Sequence, residues 1–130
     1  MADTDHDVRV IVMGDGDKQG EIHRRLAPIG VTVAPVRRAA ELSPLTRNQN
    51  YYQVALLPAV LPDFDWWAVW GATSLFDPRP TILVYAHTVS FQLWSGVLEA
   101  GGYDVIVEPF TANELRRAVL RAAKVLKKDT

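Results

Sequence analysis

The sequence predicts an α/β fold, a five-stranded parallel sheet with helices on both faces. Two observations carry the prediction. Five short apolar, β-branched runs alternate along the chain with stretches that have helical periodicity or helix-capping residues. The third run, Tyr52 to Leu57, is apolar at nearly every position, as expected of a parallel strand covered on both sides.

Each element has its own local cause. Val8 to Met13 is β-branched and apolar and is stopped by Gly14-Asp-Gly-Asp17, so it reads as a strand ending in a turn. Asp17 is expected to cap a helix to about Ala27, with Ile22, Leu26 and Ile29 on one face; Pro28 and Gly30 close it. Val31 to Ala34 is a second strand. A helix from about Arg38 to Leu45 follows, weakened by Pro44. After the third strand, Asp65 is expected to cap a helix carrying Trp66, Trp67, Trp70 and Leu75 and ended by Asp77-Pro78. Thr81 to Ala86 is the fourth strand. Thr88 or Ser90 opens a helix with Phe91, Trp94, Val97 and Leu98, stopped by Gly101-Gly102. Val105 to Val107 is the fifth strand. Thr111 caps the last helix and Glu114 completes a capping box; the apolar face is Leu115, Ala118, Val119, Ala122 and Leu126.

Bulk composition narrows the function classes. A chain of 130 residues with 48% hydrophobic and 22% charged residues can bury a substantial core as one domain. No repeat or interior linker divides it: residues 1–7 read as a flexible acidic tail, 8–127 as the domain and 128–130 as a C-terminal tail. A net charge of −1 gives no global attraction to nucleic acid or anionic membrane. The chain has no cysteine, so disulfides and thiolate metal sites are absent. The acidic N-terminus is no signal peptide, and no apolar run approaches the roughly 18 residues of a membrane helix. These features predict a cytoplasmic domain.

Ligand chemistry in such folds collects at the carboxyl ends of the strands, here Gly14 to Asp17, Pro58 to Leu61, Tyr85 to His87, and Glu108. Asp15, Asp17 and Glu108, with His87, could gather a cation, but a hard cation wants about six oxygen ligands and these residues rarely supply them. Gly14 to Gly20 is one residue too long for a dinucleotide turn and would set two aspartates against a pyrophosphate. His6, His23 and His87 are scattered and suggest no catalysis. The cations Arg116, Arg117, Arg121, Lys124, Lys127 and Lys128 of the last helix read as a solvated face that also favours the helix dipole. Trp66 and Trp70 share a helix face while Trp67 points away, so at least one indole is expected to be part exposed and all three are candidate contacts for a partner.

Ala100-Gly-Gly-Tyr-Asp-Val-Ile-Val-Glu-Pro-Phe110, followed by Thr-Ala-Asn-Glu-Leu115, resembles the end of the fourth helix through the start of the fifth in response-regulator receiver domains. Tyr52 to Asp65 is similar to that family's third strand and following loop, and Pro80 to Ala86 to its fourth strand. The resemblance implies a flavodoxin-like, three-layer (βα)5 fold with strand order 2-1-3-4-5, and a cis bond between Glu108 and Pro109. It also implies where the phosphorylation chemistry would sit, and those positions are altered. The paired acidic positions are Gly14 and Asp15, the phospho-accepting position is Pro58, and the hydroxyl position is Tyr85. The aromatic switch position is Val105 and the lysine position is Glu108.

Proline has no nucleophile and Glu108 carries the wrong sign for a phosphoryl group. Five losses at one site imply a degenerate, phosphorylation-independent receiver, with no catalysis and no cofactor. Its expected mechanism is protein–protein interaction, by self-association or partner docking, with no direct contact to nucleic acid or membrane. In this family the face formed by the fourth helix, fifth strand and fifth helix commonly dimerises; here it would include Trp94, Glu99, Arg117 and Arg121. The ending Lys127-Lys-Asp-Thr130 suggests the N-terminal module of a longer regulator. Two alternatives remain: a small-ligand or cation-responsive domain using the crevice around Asp15, Tyr85, His87 and Glu108, and phosphorylation at Asp63 or Asp65.

Overall fold

In the computed structural model, residues 8–47, 51–59 and 66–125 are described. The expected tails, the loop aspartates Asp63 and Asp65, and Leu126 lie outside them, as do the side chains of Trp66 and Trp67. The strands are β1 Arg9–Met13, β2 Thr32–Val36, β3 Val54–Pro58, β4 Thr81–Ala86 and β5 Asp104–Val107. They form one sheet in the order β2-β1-β3-β4-β5, every pair parallel. The helices are α1 Gly16–Leu26, α2 Leu42–Arg47, α3 Trp66–Thr73, α4 Phe91–Glu99 and α5 Ala112–Ala123, with 3-10 turns at Ala27–Ile29 and Ala39–Glu41.

The two-residue period of the strands splits the core in two. Val10, Val12, Val54, Leu56, Leu83 and Tyr85 face the side where Ile22, Leu26, Leu115 and Val119 pack from α1 and α5. Ile11, Met13, Ala55, Leu57, Ile82 and Val84 face Leu42, Val69, Trp70 and Val97 on the other side. Side chains at 85 and 84 therefore serve opposite layers, which fixes the side of the sheet on which Tyr85 acts.

Several local expectations need correction. The α1 cap is Asp15, whose carboxylate accepts from the Lys18 amide at 2.8 Å; Asp17 lies inside the first turn and is exposed. Pro44 does not prevent α2, because it falls in the first turn, where its missing N–H costs nothing. The α3 helix ends at Thr73, leaving Leu75 outside it and exposed. Trp70 is only 4% exposed and packs in the core beneath the Arg79 guanidinium, so it offers no partner surface. Arg116 is not simply solvated; it donates to the Arg25 carbonyl at 2.6 Å and ties α5 to α1. Ser90 caps α4, and Thr111 with Glu114 forms the capping box of α5. The Glu108–Pro109 bond is cis, as is Asp77–Pro78.

Gly102 closes the α4-to-β5 connection by close approach. A Cβ there would lie 2.5 Å from Val97 Cγ1, 2.9 Å from the Val97 carbonyl oxygen and 3.0 Å from the Trp70 ring. Gly102→Ala is therefore expected to cost about 1.5 kcal/mol through overpacking, read as a lowered urea midpoint. An unchanged midpoint would mean that the connection can relax freely.

Candidate functional site: a filled strand-end pocket

The site lies where β1, β3, β4 and β5 end. Pro58 closes β3 in register with Tyr85 on β4. The next residue, Ala59, donates its amide to the Tyr85 carbonyl at 2.9 Å. Glu108 follows β5 and is anchored by its amide to the Ala86 carbonyl at 2.7 Å. Gly14 follows β1 and donates to the Val36 carbonyl. Backbone pairing thus gathers Gly14, Pro58, Tyr85 and Glu108 at one edge of the sheet.

Tyr85 reaches from β4 past the intervening β3 to the end of β1. Its hydroxyl donates to the Met13 carbonyl at 2.7 Å, and a Cβ on residue 14 would lie only 2.6 Å from the phenolic oxygen. Glycine at 14 and tyrosine at 85 are therefore one steric arrangement. A carboxylate at position 14 and this tyrosine pose cannot coexist. Burial, followed by the charges of Glu108 and Asp15, pushes the Tyr85 phenol far above its ordinary value of 10.0, so it stays a neutral donor.

Glu108 is 8% exposed, unusual for a lone carboxylate. Lys18, from the first turn of α1, ion-pairs with its Oε2. The Lys18 ammonium also lies 3.4 Å from Glu21 and 5.9 Å from the ring centroids of Tyr85 and Phe110. Burial lowers the Lys18 pKa, but hydrogen bonding and charge attraction from Glu108, helped by Glu21, outweigh it, and the net shift is above 10.5. The expectation that Glu108 simply brings the wrong sign is thus incomplete, since its charge is compensated from α1. Lys18 was missed by sequence reasoning. The available signal was electrostatic: a glutamate at a buried strand end needs a cation, and Lys18 is the one the β1–α1 turn can deliver.

Asp15 is exposed and spends a carboxylate oxygen on its cap. His87 is exposed at the rim, with Nε2 3.6 Å from Glu108 Oε1. Among the described residues no group of three or more His, Asp or Glu side chains is gathered for a metal ion. Val105 packs partly buried against the α4 layer, on the opposite side of the sheet from Tyr85.

The remaining candidates are surface residues. Phe91 is 76% and Trp94 42% exposed, and Leu98 and Val107 are also exposed. Phe91, Trp94 and Leu98 recur on one face of α4, and β5, which carries Val107, is an edge strand. Glu99, Arg117 and Arg121 are exposed on α4 and α5.

The non-phosphorylated HemR receiver domain of Leptospira biflexa superposes with a TM-score of 0.78 at 17% identity, covering 95% of this chain and 100% of its own. The fold is that of a receiver domain. A response regulator from Thermotoga maritima gives a TM-score of 0.78 at 16% identity, over 92% of this chain and 99% of its own. The BeF3-activated DrrB receiver domain gives 0.73 at 17% identity, over 92% and 99%. No protein-family model matches the chain, and no curated protein matches it in sequence. No helix among the described residues is long and apolar enough to cross a membrane.

Proposed function

We propose that this chain is a receiver-type signalling domain that works without aspartyl phosphorylation, by binding protein in the cytoplasm and without catalysis. The observation that carries the reading is the Tyr85 hydroxyl on the Met13 carbonyl, occupying the space a carboxylate at Gly14 would need. Phosphoryl transfer is catalysed largely by positioning and charge neutralisation. At this edge Pro58 offers no acceptor oxygen, and Lys18 is already paired with Glu108. The binding surface is the face of α4, β5 and α5, where Phe91, Trp94, Leu98 and Val107 leave apolar area in water beside Glu99, Arg117 and Arg121. Self-association through this face is the first partner to test. The domain makes no direct contact with nucleic acid.

Amide NMR spectra with and without magnesium and beryllofluoride, the group bound in the activated DrrB structure, test the first half. No shift is expected at residues 14–17, 58–59 or 85–88, in the wild type or in Pro58→Asp. Saturable shifts there would overturn phosphorylation independence. Dilution of the same sample is expected to shift residues 91–98 and 117–121; concentration-independent spectra would remove self-association.

A further inference from the structure

A cavity of about 400 Å³ lies beside the filled pocket, between the end of β4 and the start of α4. Ala59, Ala86, Val89 and Leu93 give it a mainly apolar wall, with Tyr85, His87, Thr88, Ser90 and Glu108 as its polar residues. Its volume is in the range of small-molecule sites, which typically combine apolar lining with one or two fixed polar groups.

The Glu108 carboxylate is the fixed group. Its side chain is only 6% exposed, and Lys18 holds Oε2. Among the described residues Oε1 is paired with His87 Nε2 at 3.6 Å, which is longer than a hydrogen bond. No donor among the described residues serves Oε1. An ionised carboxylate accepts several hydrogen bonds, so a capacity for donors remains at the cavity edge.

Charge selects the ligand. The Lys18 ammonium is shared by Glu108 and Glu21, and the negative charge of Asp15 also reaches this edge, where it acts on Tyr85. Arg25 also holds Glu21, at 3.3 Å, so Lys18 and Arg25 offset Glu108 and Glu21, and Asp15 leaves one negative charge in surplus. An anion would be repelled. A neutral apolar molecule would leave Oε1 without a donor.

We propose that this cavity binds a small organic cation, with an ammonium or amidinium donating to Glu108 Oε1 and an apolar body against Ala59, Val89 and Leu93. The cavity shares α4 with the protein-binding face but uses Leu93 and not Phe91, Trp94 or Leu98, so either reading can fail alone.

Tryptamine is a suitable probe, with tryptophol as the neutral analogue and indole-3-acetate as the anionic one, each titrated into the intact chain by amide NMR. Tryptamine is expected to bind saturably, with shifts centred on Ala59, Ala86, Val89 and Leu93. Tryptophol is expected to bind at least ~10-fold more weakly, and indole-3-acetate not at all; one donated charge-assisted hydrogen bond accounts for a difference of that order. Glu108→Gln should remove the preference for tryptamine over tryptophol. Leu93→Trp, which fills the cavity without touching the carboxylate, should abolish binding of both while leaving the dispersed spectrum of a folded chain. Equal affinities for tryptamine and tryptophol, a preference that survives Glu108→Gln, shifts centred elsewhere, or no binding would each overturn the proposal.

Discussion

Lys18→Met is expected to destabilise the chain by about 3 kcal/mol at neutral pH, because it strands the Glu108 carboxylate inside the protein. The size of the effect follows from asymmetry. A buried ion pair contributes little beyond a well-packed apolar pair, but removing one partner leaves a desolvated charge with nothing to balance it. The double variant Lys18→Met/Glu108→Gln should therefore recover most of the loss in urea unfolding, since no orphan charge remains. If both variants were equally destabilised, Lys18 would matter for packing rather than charge.

The same pair predicts behaviour at high pH. The folded chain raises the Lys18 pKa above 10.5, so its stabilisation is complete below that value and disappears as pH rises through the higher folded value. Tyr85 acts in the same direction. Its folded pKa is raised from 10.0, so the unfolded chain releases this proton first and stability falls as pH rises past 10.0. Wild-type stability should fall above about pH 10, and less steeply in Lys18→Met; an identical slope would show that the ammonium contributes nothing to the fold.

Gly14→Asp, the substitution that would rebuild an acidic pair with Asp15, is expected to cost about 3 kcal/mol rather than to create a cation site. Its Cβ would collide with the Tyr85 hydroxyl, displace the hydrogen bond to Met13 and add a third carboxylate near Asp15 and Glu108. Gly14→Ala isolates the steric part, at about 2 kcal/mol. Tyr85→Phe removes the oxygen that the new Cβ would meet. The pair Gly14→Ala/Tyr85→Phe should therefore cost about 1 kcal/mol less than the sum of its singles. Strict additivity would mean that the two positions are independent and the pocket is not filled by design.

These two experiments probe the part of the molecule that was least legible in sequence. The strands were readable because each is a short apolar run, and a parallel sheet buried on both faces demands such runs wherever it passes. The α5 capping box was readable because Thr111 and Glu114 satisfy each other's local backbone within one turn. The α1 cap was misassigned. Asp15 and Asp17 are equally good capping residues, and only the exit direction of β1 decides which carboxylate reaches the Lys18 amide. Trp70 was misread as a partner contact for a related reason: helical spacing places it on a face, but the depth of that face under Arg79 and against Val97 belongs to packing.

By itself, the amino-acid sequence determined the alternation of strands and helices, and it left Pro58, Tyr85 and Glu108 at strand ends where charge and nucleophiles would otherwise stand. These are properties of residue type and local spacing, and each is specified within a few residues of chain. Only the tertiary structure decided what the altered positions do to one another. Tyr85 reaches across 72 residues of sequence to the Met13 carbonyl, and Lys18 across 90 to Glu108. Contacts over such separations depend on strand order and register, which bring distant chain ends within bonding distance. The same closure turned the changes at Gly14, Pro58, Tyr85 and Glu108 into a packed strand end in which Lys18 holds Glu108 beside a cavity.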